Sequence, residues 1–179
     1  MKGAQITPNA KNIRPTSDKA ASALFNILRS GGLLGADFLD LFAGTGRVAA
    51  RAAALGAGSV LCVESDMRAV KAITAMFQRS GFADRASCIA SDVRRAVPRL
   101  AAGGRSFGVV FADPPYLLGW AETLPLLIEE HWSIVAPGGV FAFERSSRET
   151  PADISVPRDD RIYGKTVISF YWKPESGEN

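Results

Sequence analysis

One histidine, His131, and two cysteines, Cys62 and Cys88, are all this 179-residue chain has of the side chains that most often hold transition metals or form disulfides. No Cys-x-x-Cys pair occurs, so no zinc cluster or dithiol motif is written in it, and no metal site is expected. Each cysteine lies in a short apolar run, which reads as a buried thiol in a reducing compartment. No apolar run is long enough to span a bilayer. Met1 to Asn12 is polar and lacks the apolar core of a secretory signal. The expected location is the cytoplasm, with no membrane partner. Charge of one sign is also missing in bulk: Lys+Arg number 21 against 18 Asp+Glu, a formal net charge of +3. Such a mild basic excess suits an anionic partner without requiring one.

What is present is apolar. Hydrophobic residues make up 47% and charged residues 22%, the composition of a folded domain with a sizeable core. Residues 1–12 carry no periodicity and read as a short N-terminal arm, and residues 13–179 read as a single domain. Thr16 or Ser17 can cap a first helix, with Ala21, Leu24, Phe25 and Leu28 at helical spacing and Gly31-Gly32 to stop it. Short apolar strands then alternate with helices. The strands are placed at Phe38–Phe42, Ser59–Glu64, Ser87–Ala90, Phe107–Ala112, Val140–Glu144 and Thr166–Trp172. A helix is placed over Leu124–Val135, with Pro137-Gly138-Gly139 as the turn after it, and Ser146–Arg161 carries no clear signal. This alternation implies an α/β fold with a mostly parallel sheet and helices on both faces. Ligands in such sheets lie beyond the carboxyl ends of the strands.

Gly44-Thr45-Gly46-Arg47-Val48-Ala49 fits the pattern Gly-x-Gly-x-x-Ala, and Glu64 follows at the spacing of a dinucleotide fingerprint. Taken alone, the loop suits a dinucleotide or S-adenosyl-L-methionine equally. Asp40 separates the two. It lies in the first strand four residues before Gly44, where a carboxylate repels a pyrophosphate but pairs with the ammonium of S-adenosylmethionine. A carboxylate buried there without a partner is costly, which argues against a merely structural acid. Glu64 can accept from ribose hydroxyls, Asp92 from an adenine amino group, and the Val93 N–H can reach a ring nitrogen. Capping of a helix is an equal explanation for Asp92. Phe42, Thr45 and Ser65 complete the expected cofactor lining, and a branched side chain at Gly46 is expected to obstruct the cofactor.

Asp113-Pro114-Pro115-Tyr116 follows the fourth strand and must be a loop, since two prolines continue neither a strand nor a helix interior. An amino group conjugated to a base is a poor nucleophile because its lone pair is delocalised. The Asp113 carboxylate and the Pro114 carbonyl can each accept one amino hydrogen and hold the lone pair toward a methyl donor. Pro115 helps fix the loop, so little reorganisation is needed. Tyr116 offers a flat face to a base taken out of its stack. A rigid turn with Tyr116 as ordinary packing is the competing explanation. The chemistry expected is in-line methyl transfer with no metal and no covalent intermediate.

These motifs, with Arg14-Pro15-Thr16-Ser17-Asp18, Leu24-Phe25-Asn26-Ile27-Leu28, Leu39-Asp40-Leu41-Phe42-Ala43 and Tyr163-Gly164-Lys165-Thr166, resemble the bacterial 16S ribosomal RNA guanine-N2 methyltransferases. The resemblance runs from about Ile13 to Trp172. It implies a Rossmann-like class I methyltransferase with a seven-stranded sheet whose last strand is antiparallel. It further implies that Asp113 to Tyr116 form the catalytic loop and that Arg14 to Asp18, with Arg14 and Thr16 as substrate contacts, lie near the cofactor and substrate face. The implied partner is ribosomal RNA or the small ribosomal subunit, met by a monomer. Two features differ from the family: Met1 to Asn12 carries only Lys2 and Lys11 where members have a basic hairpin, and Arg47 to Ala52 replaces a Gly-x-Leu-Gly-x-Glu pattern.

Other readings stay open at this level: an adenine-N6 methyltransferase on RNA or DNA, a non-catalytic RNA- or protein-binding relative, and an NAD-dependent enzyme, which Asp40 disfavours. Among the scattered basic residues, Arg94, Arg95 and Arg99 read as a solvated helix face. Arg145 and Arg148, just past the fifth strand, are the expected substrate contacts.

Overall fold

The computed structural model describes residues 18–175. The 1–12 arm, the Thr16 or Ser17 cap, and Arg14 and Thr16 as substrate contacts lie outside the described residues. Helix α1 (Asp18–Ser30) buries Ala20, Leu24, Phe25 and Leu28, as the helical spacing requires. Strand β1 is only Phe38–Asp40. Helix α2 (Arg47–Ala54) starts at the glycine loop and buries Val48, Ala49, Ala52 and Ala53. Strand β2 (Val60–Glu64) leads to α3 (Met67–Arg79), whose cap Asp66 accepts the Arg68 N–H. Strand β3 (Ala86–Ala90) leads to α4 (Val93–Ala102), capped in the same way by Asp92.

Strand β4 (Phe107–Ala112) is followed by α5 (Trp120–Glu130), a 3-10 turn at Trp132–Ile134, and β5 (Val135–Ser146). Two strands close the chain, β6 (Arg158–Tyr163) and β7 (Thr166–Trp172). The seven strands form one sheet in the order β3-β2-β1-β4-β5-β7-β6. β1 to β5 run parallel, and β7 is antiparallel to both β5 and β6. One apolar cluster packs α1, α2 and α3 on one face, and a second packs α4 and α5 on the other. This is the expected Rossmann-like α/β architecture of seven strands with helices on both faces.

Three local differences from the sequence reading have physical causes. The helix expected over Leu124–Val135 begins at Trp120 and ends at Glu130. Its expected last residue, Val135, is drawn into the sheet by pairing with Phe107. Pro137-Gly138-Gly139 is a bulge inside β5 rather than a turn before it, because the ladder resumes only at Val109 and Val140. Gly138 has φ 70°, and a Cβ on Gly139 would sit 2.7 Å from the Gly108 carbonyl oxygen, so only glycine fits. The third difference is β6, which falls partly in the stretch without a clear signal. Its sequence Arg-Asp-Asp-Arg-Ile-Tyr is polar because it is an edge strand paired only with β7.

Candidate active site

β1 connects outward to β2 on one side and lies beside β4 on the other, so the crevice between β1 and β4 is where strand order reverses. Asp40 ends β1 and is paired in register with Phe111, and Asp113 follows the end of β4 by one residue. Asp40 is 1% exposed. Its Oδ1 accepts the Phe42 N–H at 3.3 Å. Burial pushes this carboxyl up to about 7; the Phe42 N–H works against that, and the nearby charges of Asp113 and Glu64 add to it. Asp40, Glu64 and Asp113 therefore form one acidic region at the carboxyl ends of three adjacent strands.

Glu64 closes the glycine loop from β2. Its Oε2 accepts the Gly44 N–H at 2.9 Å, and its Oε1 accepts the Asp66 N–H at 2.9 Å and the Ser65 hydroxyl at 3.3 Å. Gly44 and Gly46 have φ 54° and 76°, conformations that favour glycine. Thr45 between them is exposed and Gly46 is buried. A Cβ on Gly46 would meet Met76 Cε at 2.9 Å and Ile73 Cγ1 at 3.0 Å. The expected obstruction is thus corrected: a side chain there meets α3, and Gly46 serves the packing of the loop against that helix. Asp92 accepts the Arg94 N–H at 2.8 Å as the cap of α4, and Val93 is buried behind it. Phe42 packs edge-on against Trp120 with ring centroids 4.8 Å apart, and the Arg94 guanidinium lies 4.0 Å over the same indole. Trp120 lies outside the expected Leu124–Val135 helix because α5 starts four residues earlier, and Arg94 is exposed, as a solvated helix face requires, while its guanidinium lies over the indole.

In the second loop Pro114 is buried and Pro115 exposed. The Tyr116 hydroxyl donates to Glu144 Oε1 at 3.0 Å and lies 3.3 Å from Thr166 Oγ1. Burial, and next the Glu144 charge, push the Tyr116 phenol up, so it stays protonated. Leu117 has φ 60°, and its N–H donates to Glu149 Oε1 at 2.7 Å. Glu144 and Glu149 carry no motif in the sequence, and Thr166 stands in the Tyr163-Gly164-Lys165-Thr166 segment with no role assigned to it; the sheet brings all three to this loop. The exposed ion pair of Arg47 with Asp18 at 2.6 Å places the start of α1 beside the start of α2.

The two arginines at the end of β5 part company: Arg145 lies within the strand and Arg148 two residues beyond it. Arg145 is 6% exposed and donates to Ser169 Oγ at 3.1 Å, the Glu149 carbonyl at 2.7 Å and Asp160 Oδ2 at 2.8 Å. The expectation of a substrate contact is corrected there, because an internal network takes up its guanidinium. Arg148 is exposed. Among the described residues no three His, Cys, Asp or Glu side chains are grouped to hold a metal ion, and no helix is long and apolar enough to cross a membrane. The arrangement as a whole sets an acidic region at the strand ends, whose charge suits a cationic, hydroxyl-bearing ligand, next to a proline-bearing loop with a carboxylate and a carbonyl.

The chain is similar in sequence and in fold to known proteins. The family model described as conserved hypothetical protein 95 matches residues 1–172. Ribosomal RNA small subunit methyltransferase D of Escherichia coli K12 is 27% identical over 175 residues, covering 96% of this chain and 85% of its own. Among solved structures, a hypothetical protein of Thermus thermophilus superposes with TM-score 0.74 at 28% identity, covering 95% of this chain and 94% of its own. An RNA methyltransferase of Salinibacter ruber, solved in complex with S-adenosyl-L-homocysteine, superposes with TM-score 0.67 at 19% identity over 93% of this chain and 97% of its own.

Proposed function

The chain belongs to the conserved hypothetical protein 95 family, and from that premise we propose that it is an S-adenosylmethionine-dependent RNA methyltransferase acting on guanine N2 of small-subunit ribosomal RNA. The observation that carries the reading is the juxtaposition of buried Asp40 with the Asp113-Pro114-Pro115-Tyr116 loop on adjoining strands. The name of the Escherichia coli relative supports the substrate class. We read residues 13–179 as the methyltransferase domain, working as a monomer, and residues 1–12 as an arm.

The acidic trio fits S-adenosylmethionine, which carries an ammonium and a sulfonium and no phosphate. When bound, the cofactor supplies a methyl group activated by its sulfonium. Asp40 faces the ammonium, and Glu64 and Ser65 offer acceptors for hydroxyls. Gly44, Thr45 and Gly46 shape the loop, Phe42 and Val93 supply apolar wall, and Asp92 has a second carboxylate oxygen free of its cap bond for an amino group. On the other side, Asp113 and the Pro114 carbonyl hold the two hydrogens of the target amine. Pro115 keeps the loop stiff, and Tyr116 presents its ring while its hydroxyl is anchored. Arg148, with Arg14 and Thr16, meets the RNA.

The test is methylation of unmodified small subunits and of naked small-subunit RNA with labelled cofactor, followed by mapping of the product. Label at N2 of one guanine is expected. Label at adenine N6 overturns the base assignment, and label on protein or none on RNA overturns the substrate class.

A further inference from the structure

One carboxylate beside the Asp-Pro-Pro-Tyr loop has no place in the reading above. Glu149 lies three residues beyond β5, and it bridges two backbone donors. Its Oε1 accepts the Leu117 N–H at 2.7 Å, and its Oε2 accepts the Ser146 N–H at 2.9 Å. Its own backbone is held as well. The Glu149 N–H donates to the Ser146 carbonyl at 3.0 Å, and its carbonyl accepts Arg145 Nη1 at 2.7 Å. Arg145 is pinned in turn by Ser169 and Asp160, and Ser169 Oγ donates to Asp160 Oδ1 at 2.6 Å. A frame spanning β5, β7 and β6 thus ends in a side chain that grips the loop at Leu117, one residue beyond the Tyr116 hydroxyl that Glu144 and Thr166 hold.

What it grips is strained. Leu117 is the one described non-glycine residue with positive φ, at 60°. A Cβ makes that conformation unfavourable, so something outside Leu117 must hold it. Apolar burial does not, because Leu117 and Leu118 are 62% and 65% exposed. The polar tie to Glu149 is the restraint on that side. Leu117 follows Tyr116 directly, so its backbone conformation, together with the anchored Tyr116 hydroxyl, constrains the path of the preceding prolines and Asp113. A carboxylate suits the task because it presents two acceptors and no donor to two N–H groups.

We propose that Glu149 is a positioning residue, which holds the Asp113–Tyr116 loop in its working shape by locking Leu117 in the left-handed conformation. The proposal rests on the reading of that loop as the methyl-acceptor site. Glu149→Gln keeps the size but sets an amide NH₂ against one of the two N–H groups. With saturating cofactor, its single-turnover methylation of RNA should fall about 10- to 100-fold, the scale of a small misplacement of reacting groups. Affinity for S-adenosylhomocysteine should barely move, and amide hydrogen exchange at Leu117 should accelerate. Adding Leu117→Gly should restore part of the rate, since glycine takes positive φ unaided.

An unchanged rate in Glu149→Gln overturns the proposal. So does a fall in rate matched by lost cofactor affinity and not relieved by Leu117→Gly, which is the mark of general damage. Asp113→Ala in the same assay separates the two levels: if it keeps the parent rate, the reading of the loop fails on its own account. Should the parent transfer no methyl group to RNA, the exchange measurement decides, and unaltered exchange at Leu117 in Glu149→Gln sinks the latch.

Discussion

The glycine loop after β1 is held by its own backbone shape and by one carboxylate, Glu64, 20 residues on. The Asp-Pro-Pro-Tyr loop after β4 is held by three side chains, Glu144, Glu149 and Thr166, which lie 28 to 50 residues beyond their partners. In the first loop the limiting quantity is space, since Gly46 packs on Ile73 and Met76. In the second it is polar geometry, since Pro115, Leu117 and Leu118 are exposed and little apolar packing confines the segment. The difference teaches where damage should appear. Changes in the first loop should reach stability and cofactor affinity together. Changes in the second should reach the rate while leaving the fold intact.

The largest effect that can break this contrast is at Asp113. Asp113→Ala removes one of the two acceptors for the target amine. Loss of a preorganised partner of this kind costs about 10²–10³ in rate, roughly 3–4 kcal/mol. Calorimetry with S-adenosylhomocysteine should show near-parental affinity, and thermal melting should barely shift. Asp113→Asn keeps an acceptor oxygen without the charge. It should retain more activity than alanine where orientation dominates and as little where charge dominates. A parental rate for Asp113→Ala would remove the catalytic assignment.

Gly46→Val comes next and reports on the other loop. It combines positive φ with a branched side chain driven into α3, a cost of about 3 kcal/mol. Thermal unfolding should show a clear loss of stability, with weakened cofactor binding following from it. Gly46→Ala should be milder, because the nearest atom is the flexible end of Met76. Retained stability with selective loss of binding would show that Gly46 faces the ligand after all.

The last effect, graded with pH where the others are all-or-none substitutions, sharpens the role of Asp40. The folded carboxyl titrates near 7 against an ordinary 3.8. Below about 3.8 the folded and unfolded forms are both protonated. From there to about 7 the folded form binds more protons, so the ligand-free fold loses stability as pH rises, and above 7 the cost is constant. Cofactor binding runs the opposite way. An ammonium pairs with the ionised carboxylate, so affinity should weaken as pH falls below 7, by about tenfold per unit at the limit of one linked proton. Titration calorimetry in the parent and in Asp40→Asn checks this. The slope should vanish in the variant, and a slope that persists would assign the proton to another group.

Much of this site was legible because its chemistry is local. Asp40, Gly44, Gly46, Glu64 and Asp113 stand at strand ends, where apolar runs meet glycine or proline, and the periodicity of the chain locates those ends. β6 was not legible, since an edge strand with both faces polar leaves no alternation to read. The bulge at Pro137-Gly138-Gly139 imitates a turn for a related reason: the same residues that end a strand also let one swell. Arg145 misled by position alone. It does follow Glu144 near the carboxyl end of β5, but its side chain turns into the β5–β7–β6 frame.

The sequence by itself determined the α/β alternation, the two loops, the acids at the strand ends and the resemblance to a methyltransferase family. Those are properties of short segments, set by glycine and proline conformation and by the period of apolar residues. Only the tertiary structure decided that Gly46 packs against a helix, that Arg145 is internal, and that Glu144, Glu149 and Thr166 converge on Tyr116 and Leu117. The physical reason is the antiparallel return of β7 between β5 and β6. It sets Ser146 opposite Thr166 in register and so carries remote polar side chains to the loop after β4.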